Sequence, residues 1–176
     1  MKKINILGIS GSLRSDSANT VILKAFRSLL PEGANLIIFA GMDEMPHFSP
    51  GLAENPGVQK FKEAIREADA VIICTPEYAF GIPGTLKNAL DWTVATGEFN
   101  EKPVCAISGS PLNSGGEHAL HSLLLTLTAL GTKRNQFSFA SIANIKSKIT
   151  GQELSDTETI QLLRDQLTNL IALTEN

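Results

Sequence analysis

Short, nearly continuous apolar runs alternate with helix-patterned segments along the whole chain, and that alternation leaves few folds open. The runs at 4–9, 36–39, 70–74 and 104–107 have the length of strands. They lack the polar alternation of a half-solvated sheet, as expected of parallel strands covered on both faces. Residues 136–140 read as a weaker fifth strand. Helical spacing fills the intervals at 19–30, 58–68, 85–95, 116–130 and 156–173, the last with Ser155 or Asp156 as its cap and Glu158 in its first turn. A chain of 176 residues suits one domain with one core, spanning 1–176. Right-handed crossovers then predict a doubly wound α/β domain, a three-layer sandwich around a five-stranded parallel sheet of order 2-1-3-4-5. In that order the topological switch lies between strands one and three, and ligands sit beyond the carboxyl ends of the strands there. Function is therefore expected in the loops after Ile9, Cys74 and Ile107.

Charge narrows the partners. The net charge is −3 and no Lys/Arg run exceeds two residues, which disfavours nucleic acid and anionic membrane surfaces. The N-terminal apolar run is too short and too polar for a signal peptide, and no stretch is long enough to span a bilayer, so a cytoplasmic protein is expected. Cys74 and Cys105 each lie inside an apolar run and read as buried strand residues.

The first loop, Ser10 to Thr20, holds Gly11, four serines, Asn19, Thr20 and Arg14, and runs into a helix. Hydroxyls, amides, a guanidinium and the free N–H groups of a helix start together suit a phosphate. A polar strand-to-helix turn with a Ser or Asn cap accounts for the same residues. Walker A and dinucleotide fingerprints do not match, because no lysine follows and only Gly8 and Gly11 are available. The second loop, Thr75 to Gly84, packs Pro76, Pro83, Gly81 and Gly84 around Tyr78 and Phe80. Such an irregular backbone with apolar walls suits a flat heteroaromatic ring, although a rigid turn with space-filling aromatics reads similarly.

Gly-Ser-Leu-Arg-x-x-Ser-x-Asn from Gly11, followed by Pro-Glu-Tyr-x-x-x-x-Pro-Gly-x-Leu-Lys-Asn-Ala-x-Asp-Trp from Pro76, resembles the NAD(P)H-dependent FMN reductase family, which includes quinone, chromate and azo reductases. The resemblance implies a flavodoxin-like fold and non-covalent FMN. It implies that Ser12, Arg14, Ser17, Ala18, Asn19 and Thr20 hold the FMN phosphate. Pro76, Glu77, Tyr78 and Ala79 would follow the isoalloxazine ring largely through the backbone, continued by Phe80 and Gly81, with Ser110 of the third loop at the flavin. Position 79 departs from the family, which usually has Asn there. The family's partners are NAD(P)H and a small acceptor, with no conventional catalytic side chain and no metal. Its members form homodimers or homotetramers, which makes Lys87, Asn88, Asp91 and Trp92 candidate interface residues, helix packing being their ordinary role. His118 is a candidate for the substrate mouth; with Glu117 and His121 it lacks the further ligands of a metal site. A non-enzymatic FMN carrier and a flavin-based redox-responsive binding protein are the alternatives to an enzyme.

Overall fold

The computed structural model describes residues 3–52 and 55–175; Met1 and Lys2 at the N-terminus, Ala53 and Glu54 in the long 40–56 connection, and Asn176 lie outside them. Strands β1 (Ile4–Ser10), β2 (Ala34–Ile38), β3 (Ala70–Thr75), β4 (Val104–Gly109) and β5 (Phe139–Ile142) form one parallel sheet in the order β2-β1-β3-β4-β5. Helices α1 (Ala18–Ala25), α2 (Pro56–Glu67), α3 (Gly84–Asp91), α4 (Glu117–Ala129) and α5 (Thr157–Glu175) cover it. Successive strand residues point to opposite faces. Leu7, Ile9, Val71, Ile73, Val104 and Ala106 meet Phe61, Ile65, Leu90 and Leu123 of α2, α3 and α4. Ile6, Ile72, Cys74, Cys105 and Ile107 meet Ile22, Leu23, Leu163 and Leu167 of α1 and α5. Each Val, Leu, Ile or Phe among them contributes about 1.5–3 kcal/mol on full burial, and the burial of β1, β3 and β4 on both sides is why their sequences read as nearly continuous apolar runs.

The helix boundaries follow from local chemistry. Asn55 accepts a hydrogen bond from the Val58 N–H at 2.9 Å with Pro56 in the first turn, so α2 begins ahead of its apolar stripe. Asp156, not Ser155, caps α5 by accepting from the Thr159 N–H at 2.9 Å, while the Ser155 hydroxyl turns back to the Lys148 carbonyl. The Thr159 hydrogen bonds and Lys148 hold the Asp156 carboxyl down at about 2. The first helix is α-helical only to Ala25 and tightens into a 3-10 turn at Phe26–Leu29. The fifth strand lies at Phe139–Ile142 instead of 136–140, because Asn135 and Ser138 close a turn through Phe137. The sequence pattern did not show the 3-10 turn at Ile145–Lys148 or the antiparallel hairpin of β6 (Ile149–Thr150) and β7 (Glu153–Leu154). Asn88 and Trp92, candidates for a subunit interface, are engaged within the chain. Both donate to the Pro46 carbonyl at 3.0 Å, Phe48 N–H donates back to Asn88, and Phe48 meets the Trp92 ring edge-to-face. Lys87 and Asp91 pair with each other along α3.

The register brings three loops to one edge. Ser10 stands opposite Cys74 and Thr75 opposite Ser108, so β1, β3 and β4 end side by side. Gly11 lies so close to β3 that a Cβ there would come within 2.7 Å of Thr75 Oγ1, and its N–H donates to the Cys74 carbonyl. Asn19 ties the first loop to the third. Its Nδ2 donates to the Gly109 carbonyl at 2.9 Å and its Oδ1 accepts from the Gly109 N–H at 3.0 Å, both buried. The approach requires glycine, because a Cβ on Gly109 would meet Ile22 Cδ1 at 2.7 Å and Asn19 Oδ1 at 3.2 Å. Removing the amide strands two buried backbone groups. Asn19→Ala should therefore cost about 2–4 kcal/mol of stability in denaturant unfolding, while Leu13→Ala on the exposed side of the same loop should stay within ~0.5 kcal/mol.

Candidate functional site

A cleft of about 580 Å³ opens where these loops meet. Its floor and one wall come from the first loop and the start of α1: Ser12, Arg14, Ser17, Ala18 and Asn19. Ser17 caps α1, its hydroxyl accepting from the Asn19 N–H at 3.3 Å. The remaining first-turn N–H groups, those of Ala18 and Thr20, have no carbonyl within the helix to bond and carry the positive end of its dipole. Ser12 accepts from the Arg14 N–H at 3.3 Å, and Thr20 bonds Ser10 and the Arg14 carbonyl, so the loop is knotted from within. Thr20 is buried behind the cleft wall. The Arg14 guanidinium stands in solvent in a two-point pair with Asp16, Nε to Oδ1 at 3.1 Å and Nη2 to Oδ2 at 3.0 Å. Hydrogen bonding to Asp16 raises the Arg14 pKa, and the same bond lowers that of the Asp16 carboxyl. This set of donors fits a phosphate monoester.

The second loop reaches the cleft through Pro76 and Tyr78. Beyond them it forms a two-residue hairpin: Tyr78 N–H donates to the Gly81 carbonyl at 2.9 Å and Gly81 N–H to the Tyr78 carbonyl at 3.0 Å. The two residues between, Ala79 and Phe80, have φ of 49° and 61°. Phe80 projects at the tip, 74% exposed, its ring edge-to-face with His118 at 5.0 Å. Glu77 turns away from the opening and accepts from the Ala119 N–H at 3.0 Å, docking the loop on the start of α4. Hence Glu77, Ala79, Phe80 and Gly81 border the mouth without lining the cleft. Ser110 is also behind the surface. It is buried, its hydroxyl accepts from the Leu112 N–H, and its neighbours Gly109 and Pro111 face the opening.

The segment after β5 supplies a wall to which sequence reasoning had assigned no function: Ile145, Lys146, Ile149, Gly151 and Gln152. The available signal was positional, a basic pair at Lys146 and Lys148 just beyond the carboxyl end of the fifth strand, ahead of a glycine turn. Lys148 is engaged by Asp156 and Thr159. Neither cysteine offers a nucleophile, since burial pushes the Cys74 thiol well above its ordinary range and Cys105 up to about 12. Among the described residues no three His, Cys, Asp or Glu gather to hold a metal, and no helix is long and apolar enough to cross a membrane.

Comparison with known proteins agrees with this geometry. Residues 4–143 match the family model described as NADPH-dependent FMN reductase. An NAD(P)H-dependent FMN reductase of Pseudomonas aeruginosa is 34% identical over 170 residues, covering 93% of this chain and 91% of its own. A quinone reductase of Escherichia coli is 30% identical over 176 residues, covering 95% and 93%. Among solved structures, the flavoenzyme NAD(P)H:(acceptor) oxidoreductase FerB of Paracoccus denitrificans superposes with a TM-score of 0.82 at 26% identity, covering 98% of this chain and 97% of that one. A donor-lined cleft at the switch point of a flavodoxin-like sheet and a family match over most of the length lead to one assignment: the chain belongs to the NADPH-dependent FMN reductase family, flavin oxidoreductases whose cofactor is FMN.

Proposed function

We propose that the protein reduces small acceptors, among them quinones, azo compounds, chromate or free flavin, with electrons from NADH or NADPH. The observation that carries this reading is the contrast between two sides of the site. The side formed by the first loop and α1 is dense in hydrogen-bond donors, whereas the second loop presents exposed Tyr78 and Phe80. In this reading Ser12, Arg14, Ser17 and the first-turn N–H groups of α1 bind the phosphate. The backbone from Pro76 to Gly81 would border the ring, and its fixed dipoles would stabilise charge at the ring's polar edge. Bound FMN supplies the two-electron redox chemistry. The residues of this chain bind, orient and wall off the site, and no side chain is asked to move a proton. Supporting residues act through the backbone: Asn19 holds Gly109 in place, and Glu77 fixes the second loop to α4. A homodimer or homotetramer in the cytoplasm completes the proposal, with the exposed apolar groups Tyr78, Phe80 and Leu112 suited to cover by a second copy.

The hairpin at the mouth carries strain. Its two central residues both need positive φ, the pattern of a type I′ turn that Asn and Gly adopt most readily. Ala and Phe occupy them here, at a cost of about 1–2 kcal/mol per residue for an L side chain in that region. An asparagine at 79 would thus suit the turn's backbone before it made any ligand contact, and alanine leaves the backbone groups in place. Ala79→Asn should raise the stability by about 1 kcal/mol, read as a higher midpoint in thermal unfolding. A lower midpoint would mean that the turn does not hold this conformation.

A shared, acceptor-tolerant mouth predicts alternating use by nicotinamide and acceptor. Steady-state oxidation of NADPH with a quinone should give parallel double-reciprocal lines as the quinone concentration changes, and Phe80→Ala should alter the relative rates among quinones while the protein retains its FMN. Intersecting lines would contradict the shared site. Absence of turnover by the purified protein would favour the carrier alternative.

A further inference from the structure

The charges along the first-loop side of the cleft do not balance a phosphate. A phosphate monoester carries about −1.5 to −2 at neutral pH. The first loop brings Arg14, but Arg14 is held in a two-point pair by Asp16, and Asp16 itself lines the cleft. That pair is neutral as a unit. The other cationic side chain on the cleft wall is Lys146, which among the described residues has no ion pair or hydrogen bond to its ammonium. Its neighbour Lys148 is engaged by Asp156 at 3.2 Å and Thr159 at 3.0 Å.

The backbone that carries Lys146 is fixed to the site. Ile145 is fully buried, and its N–H donates to the Ser110 carbonyl at 3.0 Å; Asn144 N–H donates to the Leu112 carbonyl at 3.2 Å. The Lys146 stem therefore starts from backbone docked on the third loop, which Asn19 clamps to the phosphate end through Gly109. We propose that Lys146 is a binding residue for the FMN phosphate, a second cation supplied from beyond β5 to make up the charge that Asp16 withholds from Arg14. The inference rests on the placement of the phosphate against the first loop.

The test compares FMN with riboflavin, which lacks the phosphate, by quenching of flavin fluorescence on titration with apoprotein at several salt concentrations. Lys146→Ala should weaken FMN binding roughly fivefold to tenfold, leave riboflavin unchanged, and flatten the salt dependence of FMN affinity. Lys146→Arg should restore most of the loss. Unchanged FMN affinity in Lys146→Ala, or equal losses for FMN and riboflavin, would overturn the assignment. So would a higher KM for NADPH but not NADH with FMN affinity intact, since Lys146 would then read the nicotinamide cofactor's 2′-phosphate. Arg14→Ala serves as the companion, expected to lower FMN affinity roughly tenfold or more with riboflavin unaffected. If Arg14→Ala discriminates and Lys146→Ala does not, only this inference fails. If neither discriminates, the phosphate placement itself fails.

Discussion

Asn19 holds the site together. Each end of its amide bonds the backbone of Gly109, so the loop after β1 and the loop after β4 are joined across the end of β3 by two buried hydrogen bonds. The parallel register makes this contact reachable, because it ends β1, β3 and β4 at one level. The other supports are built on the same frame. The third loop, fixed through Gly109, anchors Ile145 and thereby the wall that carries Lys146. The second loop is held from its far side by Glu77 on α4. A cleft whose walls come from separate crossovers is thus kept in shape by a few polar contacts among buried groups, where an unmet bond is costly.

The strands buried on both faces were legible because their buried middles are apolar. Ile72, Ile73 and Cys74 are fully buried, and the sequence shows an unbroken apolar run. The fifth strand was displaced because it lies at the sheet edge and leaves Phe139 and Ser141 exposed, so its pattern is thin. The hairpin of β6 and β7 has two residues per strand, too few for any period to show.

The site was legible where composition is unusual and opaque where geometry decides. Arg14, Ser17 and Tyr78 were readable from their loops and do line the cleft. The roles of Asn19, Glu77 and Ser110 were not, since polar residues near a ligand site can face the ligand or hold its frame, and the sequence does not distinguish the two. Here Asn19 and Glu77 use their side chains on backbone groups of other elements, and Ser110 uses its hydroxyl on its own loop. Position 79 shows the same division: in sequence it is only a departure from the family's asparagine, and in the structure it is a strained φ of 49°.

FMN, the family's cofactor, ends in a single phosphate, and the cleft is proposed to hold it. Purified protein, denatured and freed of polypeptide, should release flavin that elutes as FMN on chromatography, near one equivalent per chain after reconstitution. Release of FAD, or failure to retain any flavin after incubation with FMN, would contradict it.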